Sequence, residues 1–182
     1  MIELRFHGRG GQGSVIASKV LAVALFREGK YVQAFPAFGV ERRGAPVTAF
    51  LRLDTKPIYL RCEVYQPDHI IVLDPTLMGV PGLTAGLKEG GSILINTEKQ
   101  PSDFKQFSEY KVATVDASGI AIKHRLGSKT QPIVNTAILG ALAKVSNLVR
   151  LESVIEAIRE NIVLKTEDNA RAASEAFESV SV

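Results

Sequence analysis

The chain has 182 residues, of which 46% are hydrophobic and 23% charged, with a formal net charge of +3. That length accommodates one domain with a sizeable core, and the balance of apolar and charged residues is that of a soluble globular protein. A single cysteine, Cys62, excludes an internal disulfide framework and any iron–sulfur cluster held by this chain alone, while lysines and arginines spread along the sequence do not imply nucleic acid as a partner.

Ile2, Leu4 and Phe6 alternate as in a strand, and the run from Val15 to Leu25 reads as a helix, with Gly8-Arg9-Gly10-Gly11-Gln12-Gly13 between them. Strand, glycine turn and helix form the arrangement in which backbone N–H groups at a helix N-terminus face outward and favour an anion. Gly8 is expected to allow the tight turn, Gly10 to let a phosphate approach the backbone, and Gly13 to let the helix pack on the strand. A nicotinamide or flavin site also needs an acid at the end of the second strand to hold the ribose hydroxyls. The second strand, residues 31–35, runs into Pro36 and has no such acid. The fingerprint therefore points to a phosphate-bearing ligand other than a dinucleotide, or to a turn that serves only close helix–strand packing.

Residues 36–46, bounded by prolines and broken by glycines, read as a structured loop. Its Glu41-Arg42-Arg43 cluster is either a solvated turn or a source of guanidinium donors for a phosphate or a partner's carboxylate. Residues 47–53 predict a strand, and with Asp54-Thr55-Lys56-Pro57 as a turn they predict a hairpin with residues 58–60. Cys62, in a mixed stretch, is expected as a buried or edge-strand thiol rather than a nucleophile. The continuous apolar run at 68–74 reads as a central parallel strand that stops at Asp74-Pro75; a short helix is expected at 83–88. Further strands follow at 90–96 and 111–116, the second feeding a helix through about residue 126.

The last third is helical: residues 135–145, with Gly140, Ala141 and Ala143 as a flat face; residues 151–162, with one apolar stripe; and a more polar helix at 166–180. Strands alternating with helices predict the α/β class, with a single doubly wound, mostly parallel sheet, an antiparallel hairpin portion and helices on both faces. Residues 1–182 are expected to form one domain, with ligand groups at the carboxyl ends of the strands. No leader pattern opens the chain and no apolar run approaches the roughly 18 residues of a membrane span, so a cytoplasmic protein without a membrane partner is expected.

No self-sufficient active site is evident. His7, His69 and His124 lack metal-ligand spacing, and there is no nucleophile elbow, P-loop or H-E-x-x-H. Neither a catalytic residue nor a metal ligand is assigned to this chain.

Three segments in order, His7-Gly8-Arg9-Gly10-Gly11-Gln12-Gly13, then residues 35–47 containing Glu41-Arg42-Arg43-Gly44-Ala45-Pro46, then residues 67–74, resemble the gamma subunit of the 2-oxoacid:ferredoxin oxidoreductases. The resemblance covers essentially the whole chain. It implies alpha, beta and delta partner subunits that carry thiamine diphosphate, magnesium and [4Fe–4S] clusters. It further implies oxidative decarboxylation of a 2-oxoacid, most simply pyruvate, to an acyl-coenzyme A with electrons passed to ferredoxin. An indolepyruvate enzyme, or a purely structural docking role, stays open. The resemblance also suggests a coenzyme A site at the glycine turn, with Gly8, Gly10, Gly11, Gln12, Gly13 and Ser14 near the phosphates or adenine. Lys19 or Arg43 would neutralise charge there, and Asn135 would add a polar contact.

Overall fold

A computed structural model of the chain describes residues 1–37 and 44–182. Strand β1 (Ile2–Arg9) leads through the glycine turn into helix α1 (Ser14–Arg27), which buries Ala17, Val20, Leu21, Ala24 and Leu25 at helical spacing. Strands β2 (Tyr31–Pro36), β3 (Pro46–Asp54), β4 (His69–Val72), β5 (Ser92–Asn96) and β6 (Lys111–Val115) follow. They form one sheet in the order β2-β3-β1-β4-β5-β6. The pairings β1–β4, β4–β5 and β5–β6 are parallel, and only β3 runs against its neighbours β1 and β2. This is the expected α/β class with a mostly parallel sheet.

The antiparallel portion has different partners from those the sequence suggested. Residues 46–54 pair with β1, from Ile2↔Leu53 to Arg9↔Pro46, and with β2, from Tyr31↔Asp54 to Pro36↔Ala49. Residues 58–60 form no strand, and Tyr59 and Leu60 are exposed. Both edges of β3 are already occupied by longer strands, so this short segment after Pro57 has no free edge of β3 to join.

The two faces of the sheet are covered unequally. One face, with Leu4, Phe6, Leu51, Ile71, Leu73, Leu94 and Val115, packs against every α-helix among the described residues: α1, α2 (Ala117–Lys123), α3 (Ala137–Ser146), α4 (Leu151–Asn161) and α5 (Thr166–Ser179), so the helices expected on both faces are gathered on one. The flat face expected near Gly140 is used here, since a Cβ on Gly140 would lie 1.8 Å from the carbonyl oxygen of Ala173 on α5. The opposite face is covered by 3-10 turns at Pro75–Gly79, Pro101–Asp103 and Lys105–Phe107 and by loops, with Ile70, Val72, Ile93, Ile95, Leu77, Leu83, Leu87 and Phe104 in a smaller core. The helix expected at 83–88 is absent. Gly82 and Gly86 take φ of 81° and 75°, and a Cβ on Gly86 would sit 2.0 Å from the Tyr65 carbonyl oxygen, so the chain turns repeatedly instead.

Loops laid over a sheet bring backbone carbonyls that need donors. Two arginines supply them. Arg52, 1% exposed, pairs with Glu3 at 2.7 Å and donates to the carbonyls of Cys62 at 2.8 Å and Glu63 at 2.9 Å, with Phe35 against its guanidinium. Arg5 donates to the carbonyls of Leu83 at 2.9 Å and Ala85 at 2.8 Å. Cys62 is thus an exposed loop residue near Arg52, at 3.7 Å from its Nη2, and neither buried nor on a strand.

Candidate functional site

From β1 the chain crosses through α1 to β2 and β3 on one side of β1, whereas β4 lies on the other. The carboxyl ends of β1 and β4 therefore flank the point where the winding reverses, where an open α/β sheet leaves a crevice. The glycine turn and Asp74 meet there.

The glycines divide the labour differently from the expectation. Gly8 is still in β1, and a Cβ on it would lie 2.2 Å from Ser14 Oγ, so it is Gly8 that lets α1 start against the strand. Gly11 and Gly13, at φ of 101° and 84°, make the turn. A Cβ on Gly13 would lie 2.5 Å from Asn135 Nδ2. Gly10 continues the strand pairing, so its own N–H is already used: it donates to Ala45 O at 2.9 Å, and the Gly10 carbonyl accepts from Gly44 N at 3.0 Å. Gln12 is likewise engaged. Its N–H donates to Arg9 O at 3.0 Å, its Oε1 accepts from Arg9 N at 2.7 Å, and its Nε2 donates to Asp74 Oδ2 at 2.7 Å.

Asp74 is the fixed point of this network. Its Oδ1 accepts from Thr76 N at 2.9 Å and Thr76 Oγ1 at 2.6 Å, and Arg9 Nε lies 3.4 Å from its Oδ2. Burial by itself would raise the carboxyl's pKa, but these hydrogen bonds and the Arg9 charge outweigh it and hold the group below the usual carboxylate range. Arg9 also donates to Thr76 Oγ1 and, at 3.1 Å, to Gly44 O. Neither Arg9 nor Asp74 was singled out from the sequence, because their partnership spans the chain from β1 to the end of β4.

What remains open is the helix end itself. α1 begins at Gly13 with no side-chain cap and no acid in its first turn, so its N-terminal N–H groups and partial positive charge face outward. Two buried polar atoms beside it, Ser14 Oγ and Asn135 Oδ1, have no hydrogen-bond partner. In front of the turn lies a cavity of about 440 Å³ bounded by Arg9, Gly10, Gly11, Gln12, Gly44 and the 130–132 segment. Arg9 is the charged side chain on its wall. Of the residues expected here, Gly8, Gly10, Gly11, Gln12, Gly13, Ser14 and Asn135 are brought together; Lys19 lies away from this cavity, on a groove beyond Asn135. Arg43, with Glu41 and Arg42, lies outside the described residues.

Behind the turn, His7 is mostly buried on the loop-covered face and accepts a hydrogen bond from Arg5 Nε at 3.1 Å. Desolvation and then the Arg5 charge push its pKa down to about 4, so the ring is neutral at physiological pH. Among the described residues no cluster of three or more His, Cys, Asp or Glu residues is placed to hold a metal, and no helix is long and apolar enough to cross a membrane.

Comparison with known proteins accounts for the whole chain. Residues 3–179 match the pyruvate ferredoxin/flavodoxin oxidoreductase family. The chain is 57% identical over 181 residues to the pyruvate/ketoisovalerate oxidoreductases common subunit gamma of Thermococcus kodakarensis, covering 97% of this chain and 96% of that one. It is 52% identical over 178 residues to the pyruvate synthase subunit PorC of Methanocaldococcus jannaschii, with 97% and 96% covered. The crystal structure of the pyruvate oxidoreductase subunit PORC of Thermotoga maritima superposes with a TM-score of 0.84 at 36% identity, over 99% of this chain and 97% of that one. This end-to-end agreement in sequence and fold places the chain in the pyruvate ferredoxin/flavodoxin oxidoreductase family, as the gamma subunit of a multi-subunit 2-oxoacid:ferredoxin oxidoreductase.

Proposed function

We propose that this gamma subunit contributes the phosphate-binding end of the coenzyme A site in a cytoplasmic enzyme whose alpha, beta and delta subunits hold thiamine diphosphate, magnesium and [4Fe–4S] clusters. The enzyme would oxidise pyruvate, or a branched 2-oxoacid such as the ketoisovalerate in its relatives' names, to the acyl-coenzyme A and pass electrons to ferredoxin. The chain, residues 1–182, acts as one domain.

The observation that carries the coenzyme A reading is the uncapped N-terminus of α1 beside two unpartnered buried atoms, Ser14 Oγ and Asn135 Oδ1. Phosphate oxygens accept from the helix N–H groups and from the Ser14 hydroxyl, while an adenine or amide N–H donates to Asn135. Arg9 supplies the nearby guanidinium. Ribose recognition by an acid is not required, in keeping with Pro36 at the end of β2. The role of Gly10 and Gln12 is to hold the turn, since their donors are already used.

A second reading is favoured by that same self-contained network: the turn is a rigid corner for docking on the alpha and beta subunits and binds nothing. Gly11→Val in the assembled enzyme separates the two. A Cβ on Gly11 meets no protein atom within 4 Å, so the side chain projects into open space; because φ of 101° strains any side chain there, the variant's melting temperature is read alongside its KM. A rise in KM for coenzyme A of at least about tenfold with kcat and assembly retained supports the site, and on that scale removes about 1.4 kcal/mol of binding. An unchanged KM sinks it and leaves the docking role.

A further inference from the structure

Lys19 sits on a groove of about 720 Å³ on the far side of Asn135 from the glycine turn. Its walls come from Ile16 and Val20 of α1, Ile133 of the α2–α3 connection, and Val163 and Leu164 of the α4–α5 connection. Val163 is 90% exposed and Leu164 81% exposed. Adjacent apolar side chains left in water beside an apolar groove mark a surface that another molecule covers.

The rim is cationic. Among the described residues Lys19 and Lys165 line the groove and no carboxylate does, and Arg125 adjoins it next to Leu126. Arg125 and Lys165 both hold left-handed backbone, at φ of 57° and 52°, and the Lys165 ammonium donates to the Arg125 carbonyl. This clasp fixes the α4–α5 connection against the segment after α2, so the groove is a formed feature with strained backbone at its mouth. A second copy of this chain does not suit it. A two-fold contact would set one cationic rim against another.

We propose that this groove seats an apolar segment of a neighbouring subunit of the enzyme, flanked by carboxylates. Its apolar side chains cover Ile16, Val163 and Leu164, and its carboxylates meet Lys19, Lys165 and Arg125. The proposal rests on the chain's place as the gamma subunit and adds the surface and the chemistry of the partner.

The test is zero-length carbodiimide crosslinking of the intact, co-expressed enzyme, read by mass spectrometry, together with the double variant Val163→Glu/Leu164→Glu. Crosslinks from Lys19 or Lys165 to an Asp or Glu of another subunit are expected. The double variant, while keeping the melting temperature of the isolated chain, is expected to weaken co-elution with the other subunits by at least about tenfold, as loss of buried apolar anchors does. Absence of such crosslinks with normal co-elution of the variant overturns the proposal. So does a variant that assembles normally but shows a raised KM for coenzyme A, since the groove then belongs to a small ligand. If the wild-type chain itself stays apart from the other subunits, the subunit reading falls and the docking surface with it; if wild type and variant enter alike, only the docking surface falls.

Discussion

Gly13→Ala separates backbone strain from side-chain collision at the start of α1. Gly13 stands at φ 84°, where an L-residue pays about 1–2 kcal/mol, and its new Cβ would meet Asn135 Nδ2 at 2.5 Å. Asn135 is buried against the start of α3, so it has little room to withdraw, and displaced packing of this kind adds about 1–3 kcal/mol. The sum is about 2–5 kcal/mol, which for a chain of this size lowers the melting temperature by roughly 4–20 °C. Gly29→Ala is the matched control, with φ 79° and nothing within 4 Å of its Cβ, and is expected to cost only the backbone share of about 1–2 kcal/mol. Thermal and urea unfolding of the two variants, and of each combined with Asn135→Ala, measure the difference. Shortening Asn135 is expected to recover at least about 1 kcal/mol in the Gly13→Ala chain and nothing in the Gly29→Ala chain. Equal costs for the two alanines, or strictly additive effects with Asn135→Ala, would refute the assignment of Asn135 as the obstructing group.

Arg52→Leu leaves the Glu3 carboxylate and the Cys62 and Glu63 carbonyls without their donor, and is expected to cost about 3–5 kcal/mol with faster proteolysis within residues 57–66, followed by gel analysis. Gly140→Ala, a change that gains about 1 kcal/mol in an open helix, is instead expected to lose about 3 kcal/mol because the α5 backbone occupies the space, as denaturant titration will show. His7 is held at about 4 against 6.5 for the free side chain, so the unfolded chain takes up a proton before the folded one does. Its contribution is complete above pH 6.5 and is lost as pH falls toward 4, by on the order of 3 kcal/mol. His7→Gln should flatten that part of the stability–pH curve, and a curve of unchanged slope would contradict the buried neutral ring.

The elements whose residues declare their own period were legible in the sequence. β1, α1, the buried strands β4 and β5, and the three C-terminal helices lie within a few residues of expectation. The pairing of β3 was not, because alternation in residues 47–53 shows that a strand exists without showing which edge it meets. The glycine turn was found but its internal roles were exchanged: whether Gly8 or Gly13 carries the helix–strand contact depends on where Ser14 and Asn135 come to rest, and Asn135 arrives from far along the chain. The Arg9–Gln12–Asp74 network and the two loop-holding arginines were invisible for a related reason. Glu3, Arg5 and His7 alternate with Leu4 and Phe6 as on a strand with one wet face, and only the loops folded over that face make the charged residues interior.

Arg5 and Arg52 grip main-chain carbonyls, a handle that every amino acid provides in the same form. At Cys62, Glu63 and Ala85 the attachment therefore does not depend on the side chain carried. Mutations at Cys62, Glu63 and Ala85 can alter the outer surface while the attachment beneath stays the same, so this side of the subunit can be remodelled for a new neighbour without renegotiating the sheet. The helical side, where Gly140 meets the α5 backbone, has no such latitude.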